Sequence, residues 1–154
     1  MDRRKVLGLI ICFLAAPAAA QVGTGETLVI DVAKTSSCGC CLAWTKRLEA
    51  AGFAPTTRDL WAGELIQHKL KLGVPEDAIS CHTATIEGYV VEGHVPPEDI
   101  RRLLAERPDA VGLAVPGMPL GSPGMDQGDD REPYDVLLIR RDGSTEVFAS
   151  YPGS

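Results

Sequence analysis

Beyond its first twenty residues, the 154-residue sequence has no long apolar run, no basic cluster and no internal repeat. The first absence leaves nothing to span a bilayer, which takes about 20 consecutive apolar residues. The second argues against a nucleic-acid partner. The third, with no linker-like stretch, leaves one domain with room for one core. Cysteine is scarce as well, five in all, yet three of the five fall within four positions, in SSCGCC at 36–41.

The first twenty residues are a different matter. MDRRKVLGLIICFLAAPAAA joins a basic start (Arg3, Arg4, Lys5) to an apolar run from Val6 to Ala16 and to small residues before Gln21. That pattern predicts a secretory signal at 1–20 with an A-x-A cleavage site. The run is too short for a membrane anchor, and Cys12 leaves with it. Arg3-Arg4 keeps twin-arginine export open beside the ordinary route. Removing three cations and Asp2 takes the formal charge from -6 to -8. Export would place the mature chain in an oxidising compartment, where four cysteines form two structural disulfides by default. Their spacing argues against that outcome.

Residues 27–33, TLVIDVA, read as a strand and residues 38–51 as a helix stopped by Gly52. A weak strand follows at 53–59, marked as an edge by Pro55. The next helix has Trp61, Leu65, His68 and Leu72 on one face, with Ile66 and Leu70 beside them. Two β-rich runs then flank Glu87-Gly88 as a hairpin. Pro96 and Pro97 start a third helix that Pro108 ends. Residues 112–133 are rich in Gly and Pro and read as an irregular arm, before a closing hairpin at 134–150 that turns at Asp142-Gly143. The order predicts an α/β, thioredoxin-like mixed sheet flanked by helices over 21–110, with a Gly/Pro-rich C-terminal extension at 111–154 packing on it and ending in a hairpin. Trp44, Trp61, Phe53 and Phe148 read as core, His68 as structural, and the acidic stretch at 126–132 as a solvated loop.

Cys38 and Cys41 form C-x-x-C where a strand passes to a helix, the placement of dithiol oxidoreductases. Free N–H groups and the dipole at a helix N-terminus favour thiolate there. Cys40 complicates that reading. A Cys38–Cys41 disulfide would leave it as a spare thiol, and a closed mononuclear zinc site usually presents a second C-x-x-C or distant histidines. Crowded thiolates suit bridging between soft ions, of which Cu(I) is the natural candidate. A two-residue turn at Glu87-Gly88 would face Ile86 with Tyr89, Ala84 with Val91, His82 with Gly93 and Cys81 with His94. His82 joins Cys81 only if the regular strand starts after it. Met118 and Met125 are the only methionines beyond the signal, and they lie in the arm, where little else is apolar enough to make a core. The candidate metal ligands are therefore Cys38, Cys40, Cys41, Cys81, His82, His94, Met118 and Met125.

CGCC-x-x-W at 38–44, LGVP at 72–75, SCHTA at 80–84, GYVVEGHVP at 88–96 and GLAVPGMPLGSPGM at 112–125 together resemble the CopG-type copper-resistance proteins. The resemblance implies a thioredoxin-like domain, a copper cluster bridged by cysteine sulfurs with Cys38, Cys40, Cys41 and Cys81 as ligands, and a periplasmic role in handling Cu(I) and Cu(II). Unlike thioredoxins proper, the chain has no proline between the C-x-x-C cysteines, and it carries Cys81-His82-Thr83-Ala84 where that superfamily has a cis-proline. The loss of that cis-proline, which packs against the dithiol in the superfamily, weakens disulfide exchange as the function and leaves room for metal. The expected protein is a periplasmic monomer that binds several copper ions and interconverts Cu(I) and Cu(II), with periplasmic copper efflux or chaperone proteins as candidate partners. The alternatives are a thiol-disulfide oxidoreductase, with Cys38 as nucleophile and Cys41 as resolving thiol, and a copper store or carrier without turnover.

Overall fold

The computed structural model describes residues 27–126 and 128–154. The signal sequence expected at 1–20, its cleavage site and Cys12 lie outside them. The described chain is α/β, with three α-helices and a seven-stranded mixed sheet in the order β2-β1-β3-β4-β5-β6-β7, consistent with a thioredoxin-like arrangement.

β1 (Leu28–Lys34) runs parallel to β2 (Phe53–Asp59), and α1 (Gly39–Ala50) makes the crossover. β2 is an outer strand, where the missing N–H of Pro55 costs no ladder bond. Cys41, Trp44 and Leu48 fall at helical spacing on the buried side of α1, and the Trp44 indole donates to the Val95 carbonyl at 2.9 Å. α2 (Ala62–Lys71) follows. β3 (Thr83–Ile86) and β4 (Tyr89–Glu92) form the expected hairpin, with Ile86 facing Tyr89 and Ala84 facing Val91. α3 (Pro97–Glu106) leads to β5 (Ala110–Ala114), parallel to β4; β6 (Tyr134–Arg140) and β7 (Thr145–Tyr151) complete the same sheet. Val91 points into the larger core with Trp44, Leu48, Ile100 and Leu103. Its neighbour Val90 points the other way, into a smaller one with Val74, Ala78 and Ile139.

Three sequence expectations need correction. Residues 112–114, assigned to the arm, belong to β5, an inner strand. Gly112 reads as a loop residue, but it is there because a Cβ would collide with the Val90 backbone. Trp61 is 83% exposed and not core; it stands just outside α2, where its backbone N–H donates to Glu64. On α2, Ile66 and Leu70 are exposed, and the residues buried are Leu65 and Lys69.

Between β5 and β6, residues 115–126 fold back across the end of the sheet. Gly117 bridges Ser80, and Asp126 pairs with Arg47 of α1 at 2.7 Å. Gly124 lies against α1 so closely that a Cβ would stand 2.6 Å from the Trp44 nitrogen and 3.0 Å from the Cys40 carbonyl oxygen, and its φ of +87° also favours glycine. Gly124→Ala should therefore lift the arm off α1 at a cost of about 1–3 kcal/mol. Urea denaturation would give the loss, and limited proteolysis should show new cleavage near residues 121–126. An unchanged midpoint and digestion pattern would show that the arm is not seated by this contact.

Candidate metal centre

Three short pieces of chain build the site. Cys38 caps the N-terminus of α1, with Cys40 and Cys41 in its first turn. Ser80, Cys81 and His82 precede β3, and His94 follows β4 by two residues. The ladder's register continues beyond the regular strands, because Gly93 N–H donates to the His82 carbonyl at 3.0 Å. Cys81 consequently faces His94, its sulfur 3.1 Å from Nε2. The regular strand begins at Thr83, so the alternation of faces does not bind His82, whose Nδ1 is 3.2 Å from the same sulfur.

The four sulfurs meet at the helix terminus. Cys40 Sγ lies 3.6 Å from Cys38 Sγ and 3.7 Å from Cys81 Sγ, and Cys41 Sγ lies 3.6 Å from Cys81 Sγ. Cys38 and Cys41 form a disulfide, and Cys40 and Cys81 are free. Two potential donor groups result: Cys38, Cys40, Cys41 and Cys81, all sulfur, and Cys81, His82 and His94, one sulfur and two imidazoles. Cys81 belongs to both. Cys38, Cys40 and Cys81 are partly exposed, whereas Cys41 and both histidines are buried. The sulfur side thus faces outward, and the nitrogen side lies within.

Main chain fixes the tautomer of one of the two histidines. His94 Nδ1 lies 2.9 Å from the Pro123 carbonyl, which can only accept, so Nδ1 carries the proton and Nε2 presents its lone pair to Cys81. His82 packs under Trp44, ring centres 4.4 Å apart, and edge-on to His94. Its buried Nε2 has no hydrogen-bond partner among the described residues, a deficit that ordinarily costs about 1–3 kcal/mol. Burial lowers the pKa of both imidazoles, His82 far below its ordinary value, so both stay neutral, as a metal ligand must. Burial foremost, then the neighbouring Cys40, pushes the Cys81 thiol up to about 12. Neutral imidazole, free thiol and an unsatisfied buried nitrogen are a donor set that a soft or borderline transition metal fits.

The structure thus brings together Cys38, Cys40, Cys41, Cys81, His82 and His94. Met118 is half exposed and adjoins Gly117, which bridges Ser80; Met125 is partly buried and follows Gly124, which packs on α1. His68 lies away from this group, its Nε2 2.8 Å from an Arg58 guanidinium nitrogen. Sequence reasoning missed two supports: the Pro123 carbonyl, for which a sequence carries no signal, and a buried ion pair between Lys69 and Glu92, both wholly inaccessible and 2.6 Å apart. Lys69 stands four residues after Leu65 and three before Leu72, which is the available hint that it lies on the buried face.

A family model described as a protein of unknown function, DUF411, matches residues 78–125. No curated protein matches. Among solved structures, one titled copper resistance protein CopG, form 1, is 50% identical, superposes with a TM-score of 0.78 and covers 83% of this chain and 100% of its own. A second, titled form 2, is also 50% identical, with a TM-score of 0.77, covering 82% of this chain and 100% of its own. At that identity, over nearly all the described chain, the protein belongs to the CopG family of copper resistance proteins.

Proposed function

We propose that this protein is a periplasmic copper-binding protein that holds several copper ions on shared cysteine sulfur and interconverts Cu(I) and Cu(II) in copper resistance. The observation that carries the reading is the position of Cys81, whose sulfur completes both an all-sulfur group and a group with two imidazoles. Thiolate sulfur favours Cu(I), and imidazole also accommodates Cu(II). Adjacent donor groups of the two kinds, sharing one atom, suit an ion that changes oxidation state. Met118 and Met125 are candidate thioether donors from the arm. Copper ions are the substrate, periplasmic efflux or chaperone proteins the candidate partners, and the working form a monomer.

The Cys38–Cys41 disulfide supports a second reading, thiol-disulfide exchange by Cys38 and Cys41. The two readings differ in what the disulfide is for. As a copper site, the pair must first take up two electrons and two protons from a dithiol reductant. As an oxidoreductase, the pair is the active centre and Cys81 is dispensable. A store or carrier would use the same ligands without turnover, and a redox assay separates it from the first reading.

The reduced protein should bind copper, and Cys81→Ser should weaken Cu(I) binding by more than about 100-fold, beyond what a lost outer partner costs; competition against a chromophoric chelator measures this. A metal-free or zinc-only parent would sink the copper reading, and insulin reductase activity that survives Cys81→Ser would favour the rival. Replacing Met118 and Met125 together by leucine should lower Cu(I) affinity more than Cu(II) affinity in the same assay, whereas equal affinities would remove the arm from the ligand set. pH supplies a separate check. The Cys81 thiol is protonated at neutral pH and must bind as thiolate, so Cu(I) should expel its proton and bind more tightly as pH rises from about 6 to 8. Calorimetry in buffers of different ionisation enthalpy would register the proton, and Cys81→Ser should lose it. A pH-independent affinity would contradict the assignment.

A further inference from the structure

The buried pair Lys69–Glu92 lies outside both donor groups, yet it touches the segment that carries two of their members. One Glu92 oxygen, Oε1, accepts from Lys69 Nζ at 2.6 Å and from the Ser80 backbone N–H at 2.7 Å. The other, Oε2, accepts from the Thr83 hydroxyl. Ser80 and Thr83 bracket Cys81 and His82. β3 pairs with β1 only from Thr83 onward, so Ser80–His82 lacks that ladder to fix it. Glu92 ends β4, two residues before His94.

Stability gives a poor account of this arrangement. Burying an ammonium and a carboxylate costs several kcal/mol per ion, and a well-packed apolar pair of similar volume is often as stable or more so. Burial pushes Lys69 down and Glu92 up in pKa, and each is drawn back towards its charged form by the other. What an apolar pair could not supply is an acceptor for both the Ser80 N–H and the Thr83 hydroxyl at a fixed place.

We infer that Glu92, with Lys69 as its buried counter-ion, is a positioning residue that fixes Cys81 and His82 relative to His94 by holding Ser80 N–H and the Thr83 hydroxyl. This inference rests on the copper reading for its consequence. Partners behind a metal ligand typically cost 10- to 100-fold in affinity when lost. Lys69→Met/Glu92→Leu removes the pair without leaving a buried charge, and it should melt near the parent while losing at least about tenfold in copper affinity. Lys69→Met/Glu92→Gln keeps an amide oxygen for Ser80 and a group that can bond Thr83, and it should recover most of that loss. Thr83→Val, nearly isosteric, removes one of the two holds and should fall between. The nitrogen hyperfine pattern of bound Cu(II) should alter in the leucine variant and return in the glutamine variant, a response that a merely structural pair would not give. Parent-like affinity and hyperfine pattern in Lys69→Met/Glu92→Leu would overturn the inference. If that variant does not fold, the same result in Thr83→Val overturns it. A parent that takes up no copper would instead sink the copper reading. Positioning would then be read from the copper-free protein, where the ring nitrogen shifts of His82 and His94 must move in the leucine variant and return in the glutamine variant; unmoved shifts overturn it.

Discussion

The site depends on one pairing, the register between β3 and β4. Strand side chains alternate, so a slip of one residue would turn every inward group outward. Here it would separate Cys81 from His94. The register is set at the turn, where Glu87 and Gly88 both have positive φ, 45° and 86°, as a two-residue type I′ turn requires. Glycine adopts that conformation freely and glutamate does not. The Glu87 carboxylate is paired with Arg107 at the end of α3, a tertiary contact that accompanies the less favourable residue. From this turn the ladder runs without interruption to Gly93 and His82, and it delivers a cysteine and a histidine to the same end of the sheet where α1 presents three more cysteines.

At that end, geometry and solvation sort the donors. The α1 N-terminus offers a field that favours negative sulfur, and Cys38 and Cys40 are partly open to solvent. Behind them, burial excludes charge: the imidazoles are held neutral and the Cys81 thiol is held protonated. A cation entering from outside would meet sulfur first and nitrogen last. Along that path the donor set changes from soft to borderline at Cys81, the sulfur that both groups share, and within each group the ligand atoms lie no more than 4.8 Å apart. On the copper reading, protons, a disulfide and metal ions would compete for the same sulfurs, so what occupies them would depend on reductant, pH and copper together.

Much of this was legible in the sequence, and what was legible is local. C-x-C-C at a strand-to-helix junction, the hairpin pairing and the edge marked by Pro55 each depend on residues close together along the chain. Even the condition under which His82 could join Cys81, a regular strand beginning after it, followed from period-two geometry and is met. What escaped depends on contacts between distant segments. Gly112 looks like a loop residue until Val90 is laid beside it. Trp61 looks like core, but α2 turns that end outward and buries Lys69 in its place, because Glu92, twenty-three residues on, supplies the counter-charge. Hydropathy assigns both charged residues to the surface, and only their meeting makes burial tolerable.

The arm makes the same point about backbone. A segment rich in glycine and proline reads as a lack of structure, yet this one is tied to Ser80, His94 and α1 within ten residues of chain. A helix or a strand would serve worse. In either, the carbonyl at position 123 would be drawn into the element's own bonds, and it could not fix which nitrogen of His94 carries the proton. Irregular backbone leaves that acceptor free, and Gly124 next to it allows the chain to pass against the Cys40 carbonyl and the Trp44 nitrogen. The composition that makes the arm look unstructured is therefore what lets main chain do work usually left to a side chain: orienting a histidine whose lone pair must face the shared sulfur.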